Sequence, residues 1–153
     1  MIGVFKRADL PVGVRPVTLA LWQLGDPGNV GTLLRSADAF GAGVALSEGC
    51  ADPTSPKALR ASMGALFRVP LSGFDEPGGT RVALVPRGGT PLPDVPLDGD
   101  VVFVLGAERE GLPADVLAAC SVQASIPQTG DAESLNVAMA GTVALYERSR
   151  RGA

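Results

Sequence analysis

Ile126-Pro127-Gln128-Thr129-Gly130-Asp131-Ala132-Glu133-Ser134-Leu135-Asn136-Val137-Ala138-Met139-Ala140-Gly141 is the stretch on which the reading of this chain turns. A short apolar run, Val122 to Ile126, is stopped by Pro127 and a polar loop; Ser134 then opens a small-residue helical pattern that continues to about Arg150. The order is strand, loop, helix. In open α/β sheets ligands bind outside the carboxyl ends of strands, and a helix N-terminus adds unpaired backbone donors, so a loop in this position is a candidate site. Taken alone the stretch reads more simply, with Ser134 as an N-cap and Asn136 as a polar first-turn residue.

The segments before it repeat the alternation. Val101 to Leu105 is a continuous apolar run of the kind that parallel strands show when both faces are covered, and Val17 to Leu24 is a second buried strand rich in β-formers. Gly25-Asp26-Pro27-Gly28 stops the latter. Asn29 stands where an N-cap belongs, with Val30, Leu33, Leu34, Ala37 and Phe40 at helical spacing behind it and Gly41 as the stop. Further strands are predicted at 44–46, 69–71, 81–86 and 122–126, with helices from Ser55-Pro56 through Leu66 and from Pro113 to Cys120. These give an α/β fold, a mostly parallel sheet with helices on both faces. The interval 72–80 is too short and too rich in Gly and Pro for a crossover helix, so either the strand before it is vestigial or the connection is an irregular loop. Residues 87–100 are expected to wrap the surface as an ordered loop. Residues 1–16 read as a flexible leader and 17–153 as a single domain.

At 153 residues the chain is long enough to bury a core without staples. Aromatic residues make up only 5%, which disfavours a base-stacking surface. The net charge of −3 and sequence pI of about 4.9 have the wrong sign for a protein that binds nucleic acid by phosphate neutralisation alone. Such binding requires the thirteen Lys and Arg to gather on one face, with Arg35, Arg60, Arg68, Arg87, Arg109, Arg148, Arg150 and Arg151 as the candidates. Cys50 and Cys120 lie far apart and there is no histidine, so neither a metal site nor a disulfide framework is expected. The chain shows no signal peptide and no apolar run of membrane-spanning length, and a cytoplasmic location is expected.

Two further stretches carry matching punctuation: Asp26 to Gly41, and Leu105-Gly106-Ala107-Glu108-Arg109-Glu110-Gly111-Leu112. Together with the opening stretch, in this order and at these separations, they resemble the three signature motifs of the SpoU-type RNA ribose 2′-O-methyltransferases of the SPOUT superfamily. The likeness runs from about Val17 to Arg150. It implies a SPOUT-type fold with a C-terminal trefoil knot, a homodimer with the first and last helices between subunits, and S-adenosylmethionine as cofactor. It implies transfer of a methyl group to a ribose 2′-hydroxyl of tRNA or rRNA. It also places Leu84, Val85, Pro86, Leu105, Gly106, Ile126, Gln128, Ser134 and Leu135 at the cofactor, and Asn29, Arg35, Glu108, Ser134 and Asn136 in catalysis.

Each residue has a physical use in those roles. Gly106 permits close backbone approach, while Ile126 and Leu135 give apolar walls. Arg35 can grip a phosphate with its planar fork and so align the neighbouring ribose. The resemblance also makes Arg35 the proton acceptor; since a guanidinium stays protonated, a bridging water or the RNA phosphate is left to share that role. Glu108 can hold Arg35, orient an amide or face a cationic cofactor. The resemblance also implies a separate RNA-selecting domain in many relatives, so a missing domain or a partner is expected to supply RNA recognition. Two other readings compete. A cofactor- or RNA-binding subunit without catalysis remains open, separable by methyl turnover. A dinucleotide enzyme requires Gly-x-Gly-x-x-Gly after the first strand, and Gly25-Asp26-Pro27-Gly28-Asn29-Val30-Gly31 does not match. Nor does Gly106 to Pro113 match a phosphate loop, because Leu112 and Pro113 stand where Lys and Ser or Thr belong.

Overall fold

A computed structural model describes residues 4–152. The strands are β1 (Val17–Leu21), β2 (Gly43–Leu46), β3 (Leu71–Gly73), β4 (Thr80–Leu84), β5 (Thr90–Pro91), β6 (Val101–Leu105) and β7 (Val122–Ser125). The helices are α1 (Pro27–Ala39), α2 (Pro56–Ser62), α3 (Ala114–Ala118) and α4 (Val137–Arg150). All seven strands form one sheet in the order β3-β2-β1-β6-β4-β7-β5, and every neighbouring pair runs parallel.

The period-two alternation of the strands divides the core in two. Leu19 and Leu21 of β1, registered against Phe103 and Leu105 of β6, face one side and meet Val30, Leu33, Leu34 and Ala37 of α1 together with Leu145 of α4. Ala20, Val102 and Val104 face the other side, where Trp22, Phe74 and Val116 of α3 cover them. Each large side chain buried in the first layer contributes roughly 1.5–3 kcal/mol. Small residues set the closest approach between helices: a Cβ on Gly31 of α1 would lie 2.4 Å from the Ala58 carbonyl oxygen of α2.

The connection from β3 to β4 crosses without a helix and opens on a turn, in which the Glu76 N–H donates to the Gly73 carbonyl at 3.1 Å. β3 lies at the sheet edge and β4 four strand positions away, and only residues 74–79 join them. This stretch therefore crosses the second sheet face as a strap in place of a helix. Phe74 anchors it, edge-on to Trp22 at 5.1 Å and beneath the Arg81 guanidinium at 4.9 Å. The third strand is not vestigial: it pairs with β2 through Leu71, Ser72 and Gly73, two residues later than 69–71.

Several boundaries differ from expectation. The helix beginning at Pro56 ends at Ser62, because Met63 and Gly64 take left-handed conformations and a short 3-10 turn, Ala65–Phe67, follows. Residues 87–100 do more than wrap the surface. Thr90 and Pro91 pair with β7, and Leu92, Val95 and Leu97 are buried in the core. The end of α4 anchors this segment: Arg151 donates to the carbonyls of Leu92, Pro93 and Val95 at 2.9, 2.7 and 2.6 Å, while Glu147 accepts from both Arg150 and Arg151.

Of the 1–16 leader, residues 1–3 lie outside the described residues. The remainder, expected to be mobile, is held at three points. Phe5 meets Phe67 edge-on at 4.9 Å, Arg7 pairs with Asp52, and the backbone on either side of Val12 exchanges two hydrogen bonds with Leu71. The free edge of β3 supplies those last partners.

Candidate functional site

Three loops meet at the carboxyl ends of the central strands, and each is held by its own local chemistry. The first opens α1. Asp26, rather than Asn29, is the N-cap: its Oδ1 accepts from the Gly28 N–H at 2.8 Å, and Pro27 takes the first helical position. Lys57 Nζ also donates to this carboxylate at 2.7 Å. Chiefly through that bond, then through the Gly28 N–H, the Asp26 carboxyl is held below its usual range. Asn29 consequently lies inside the first turn with both ends of its amide available.

The second loop, Gly106 to Leu112, closes on itself. Gly111 donates its N–H to the Ala107 carbonyl at 2.9 Å and takes φ +68°. A Cβ on Gly106 would stand 2.4 Å from the Gly111 carbonyl carbon. The loop's own backbone thus makes one close approach to Gly106, at a position that also lines the cavity described below.

The third loop ends at α4, which begins at Val137 with Asn136 as its cap, not at Ser134. Asn136 Oδ1 accepts from the N–H groups of Ala138 and Met139 at 2.9 and 3.2 Å. An amide oxygen committed to the helix leaves its NH2 group to reach outward. Asn136 Nδ2 donates to Asn29 Oδ1 at 3.2 Å, and Asn29 Nδ2 donates to Glu108 Oε1 at 3.0 Å. One directed chain of hydrogen bonds therefore ties the three loops together.

Behind that chain lies a cavity of about 550 Å³. Its floor is the ends of three adjacent strands: Leu84 at the end of β4 with Val85 and Pro86 after it, Leu105 at the end of β6 with Gly106 after it, and Ala124 of β7 with Ile126 just beyond. Gln128, Ser134, Leu135 and Asn136 close one side, and the 107–112 loop with Glu108 closes another. All nine residues expected at a cofactor line this one cavity, as do Glu108, Ser134 and Asn136 of the catalytic set.

Asn29 sits at the rim through its bonds to Glu108 and Asn136. Arg35 is different. It lies six residues further along α1, which at 100° per residue turns it about 120° away from Asn29. It is exposed and forms no part of the cavity wall. Nor does Glu108 hold it, since the carboxylate is bonded to the Asn29 amide instead.

The sequence reading did not single out Leu112, Leu117, Val137 and Ala140, which also line the cavity. The spacing of Val137 and Ala140 on one face of α4 is the only local signal that marks any of them. Four of the arginines offered as a basic face are engaged within the fold: Arg68 with Asp38, Arg150 and Arg151 with Glu147, and Arg148 with the carbonyls of Gly99 and Gly152. Among the described residues no group of three or more Cys, Asp or Glu is placed to hold a metal.

A family model described as the SpoU rRNA Methylase family matches residues 16–146. A Synechocystis sp. protein named as an uncharacterized tRNA/rRNA methyltransferase is 40% identical over 144 residues, covering 87% of this chain and 53% of that one. The 23S rRNA (uridine(2479)-2′-O)-methyltransferase of Streptomyces viridochromogenes is 36% identical over 141 residues, covering 82% and 49%. The crystal structure of an AdoMet-bound rRNA methyltransferase from Sinorhizobium meliloti superposes with a TM-score of 0.84 at 33% identity, covering 95% of this chain and 60% of that one. The chain spans about half the length of the curated relatives it matches. The three signature stretches, the parallel sheet that brings them together and the family match agree: this chain belongs to the SpoU rRNA methylase family.

Proposed function

We propose that the chain transfers a methyl group from S-adenosylmethionine to a ribose 2′-hydroxyl of ribosomal or transfer RNA. The observation that carries this reading is the hydrogen-bond chain Asn136–Asn29–Glu108 at the rim of the strand-end cavity. The cavity suits the cofactor. Its volume falls within the roughly 300–1,000 Å³ of small-molecule sites, and Leu84, Leu105, Ile126 and Leu135 supply apolar walls for an adenosine. A relative that binds AdoMet and another named as a 2′-O-methyltransferase support the same assignment.

When bound, the cofactor supplies a methyl group activated by the sulfonium charge. The residues of this chain have to hold and orient. Leu84 to Pro86, Leu105, Gly106, Ile126, Gln128, Ser134 and Leu135 hold the cofactor. Asn136 fixes the Asn29 amide so that one N–H is spent on Glu108 and the other is free for the RNA. Positioning of this kind can supply most of the acceleration when reacting charges cancel. Arg35, exposed on α1, takes an RNA phosphate and aligns the ribose. A subunit that binds without catalysing has no use for this directed amide.

The assembly we propose is a homodimer. Met139, Val143 and Tyr146 form an exposed stripe along α4 at helical spacing, 62%, 38% and 58% exposed, which a second copy would cover. The site of action is the cytoplasm; no helix among the described residues is long and apolar enough to cross a membrane. RNA selection draws on a further domain or a partner, because the net charge is −3 and half of the arginines offered as a basic face are engaged within the fold.

The test is transfer of labelled methyl groups to ribosomal and transfer RNA from a strain lacking the gene. A 2′-O-methyl group blocks alkaline cleavage at its own phosphodiester, so the label should appear in alkali-resistant dinucleotides. Label confined to mononucleotides would place the methyl on a base and overturn the reading.

A further inference from the structure

We infer that Glu108 is the proton acceptor for the reacting ribose hydroxyl, an assignment that rests on the methyl-transfer reading above. Among the described residues, the ionisable side chains on the cavity wall are Glu108, Arg109 and Glu110. Arg109 has no acceptor atom, and the same holds for Arg35, which moreover lies outside the wall. Of the two carboxylates, only Glu108 is oriented by the hydrogen-bond chain. Its Oε1 accepts the Asn29 amide at 3.0 Å, and that amide is itself fixed by Asn136 at 3.2 Å. This leaves Glu108 Oε2 as an acceptor beside the second Asn29 N–H, a donor. A hydroxyl group both accepts and donates, so the pair is complementary to one ribose 2′-OH.

The step balances on that pair. A lone pair of O2′ forms the bond to the methyl carbon, the carbon–sulfur bond breaks with its electrons left on sulfur, and the O2′ proton passes to Glu108 Oε2. A carboxylate is a strong enough base because the hydroxyl becomes acidic only as the new carbon–oxygen bond forms. Glu108 is exposed at the cavity mouth, so the proton then leaves to water.

Glu108→Gln separates this role from that of a holder. The glutamine oxygen still accepts the Asn29 N–H, but the side chain cannot take a proton. Single-turnover methyl transfer to unmodified ribosomal and transfer RNA should fall about 100-fold or more. The melting temperature should stay unchanged, as should calorimetric affinities for S-adenosylmethionine and S-adenosylhomocysteine. Transfer by Glu108→Gln at the wild-type rate would leave Glu108 only a positioning residue and overturn the assignment. Selective loss of S-adenosylmethionine affinity, with S-adenosylhomocysteine binding intact, would make the carboxylate a counter-charge to the sulfonium and also overturn it. So would a rate lost in Glu110→Gln instead. If the wild-type protein transfers methyl to neither RNA, the methyl-transfer reading itself fails and takes this assignment with it, a result distinct from all three.

Discussion

A side-chain amide has an acceptor end and a donor end, and Asn29 uses both, toward residues 107 positions ahead of it and 79 positions ahead of it. No local pattern in a sequence announces such contacts. What was legible was that Asn29, Glu108 and Asn136 each follow a strand; that they share a rim came from the likeness to a family, and the geometry then gave each a partner. Asn29 was misread as a cap because the stronger cap, Asp26, is hidden by the proline after it. Arg35 is where geometry and expectation part most clearly, since it is solvent-facing and outside the cavity wall. A residue there can act on RNA without touching the cofactor. Arg35→Ala should therefore lower transfer about 10–100-fold, through the loss of one charge-assisted phosphate contact. Cofactor affinity, read by calorimetry, should not change; a weakened cofactor would show that Arg35 reaches into the cavity after all.

Among the elements, the strands were readable because continuous apolar runs have few alternatives; the connection over 74–79 was readable as an irregular loop, but its path was not, because nothing in its composition tells how far it must travel. Helix contacts were half legible. Gly31 was given no role from the sequence, yet it is the point where α2 crosses. In Gly31→Ala the new methyl would stand 2.4 Å from the Ala58 carbonyl oxygen and 2.7 Å from Ala61 Cβ. The helices must part, at a cost of about 1–3 kcal/mol, and thermal unfolding should show a melting temperature lower by several degrees. The far end of α4 makes a prediction in pH. Its Glu147 is 8% exposed, and the hydrogen bond from Arg150 first, then that from Arg151, hold the carboxyl below its usual 4.5. A depressed carboxyl stabilises the fold above its unfolded value and loses that contribution as pH falls through the folded one. Asp26, Asp38 and Asp52 act in the same direction from more exposed positions. Melting temperatures taken from pH 6 downward should fall less steeply below about pH 5 in Glu147→Gln than in wild type, from a lower starting point.

At the scale of the molecule, net charge and oligomeric state bear on each other. An acidic protein with half of its candidate arginines engaged within its own fold gathers little positive field on one copy. A second copy related by two-fold symmetry doubles whatever basic rim exists around each mouth. The α4 stripe is the face to perturb. Tyr146→Glu puts a charge in its middle without touching the cavity, so light scattering should show the mass halved relative to wild type; a wild-type monomer would remove the proposal. The strap carries one further consequence. Trp22 is the chain's single tryptophan, and it lies against Phe74 on the sheet face away from α1 and α4. All indole fluorescence from this protein thus arises at one latch, giving an optical readout, without any added dye, of whether that thin cover is closed.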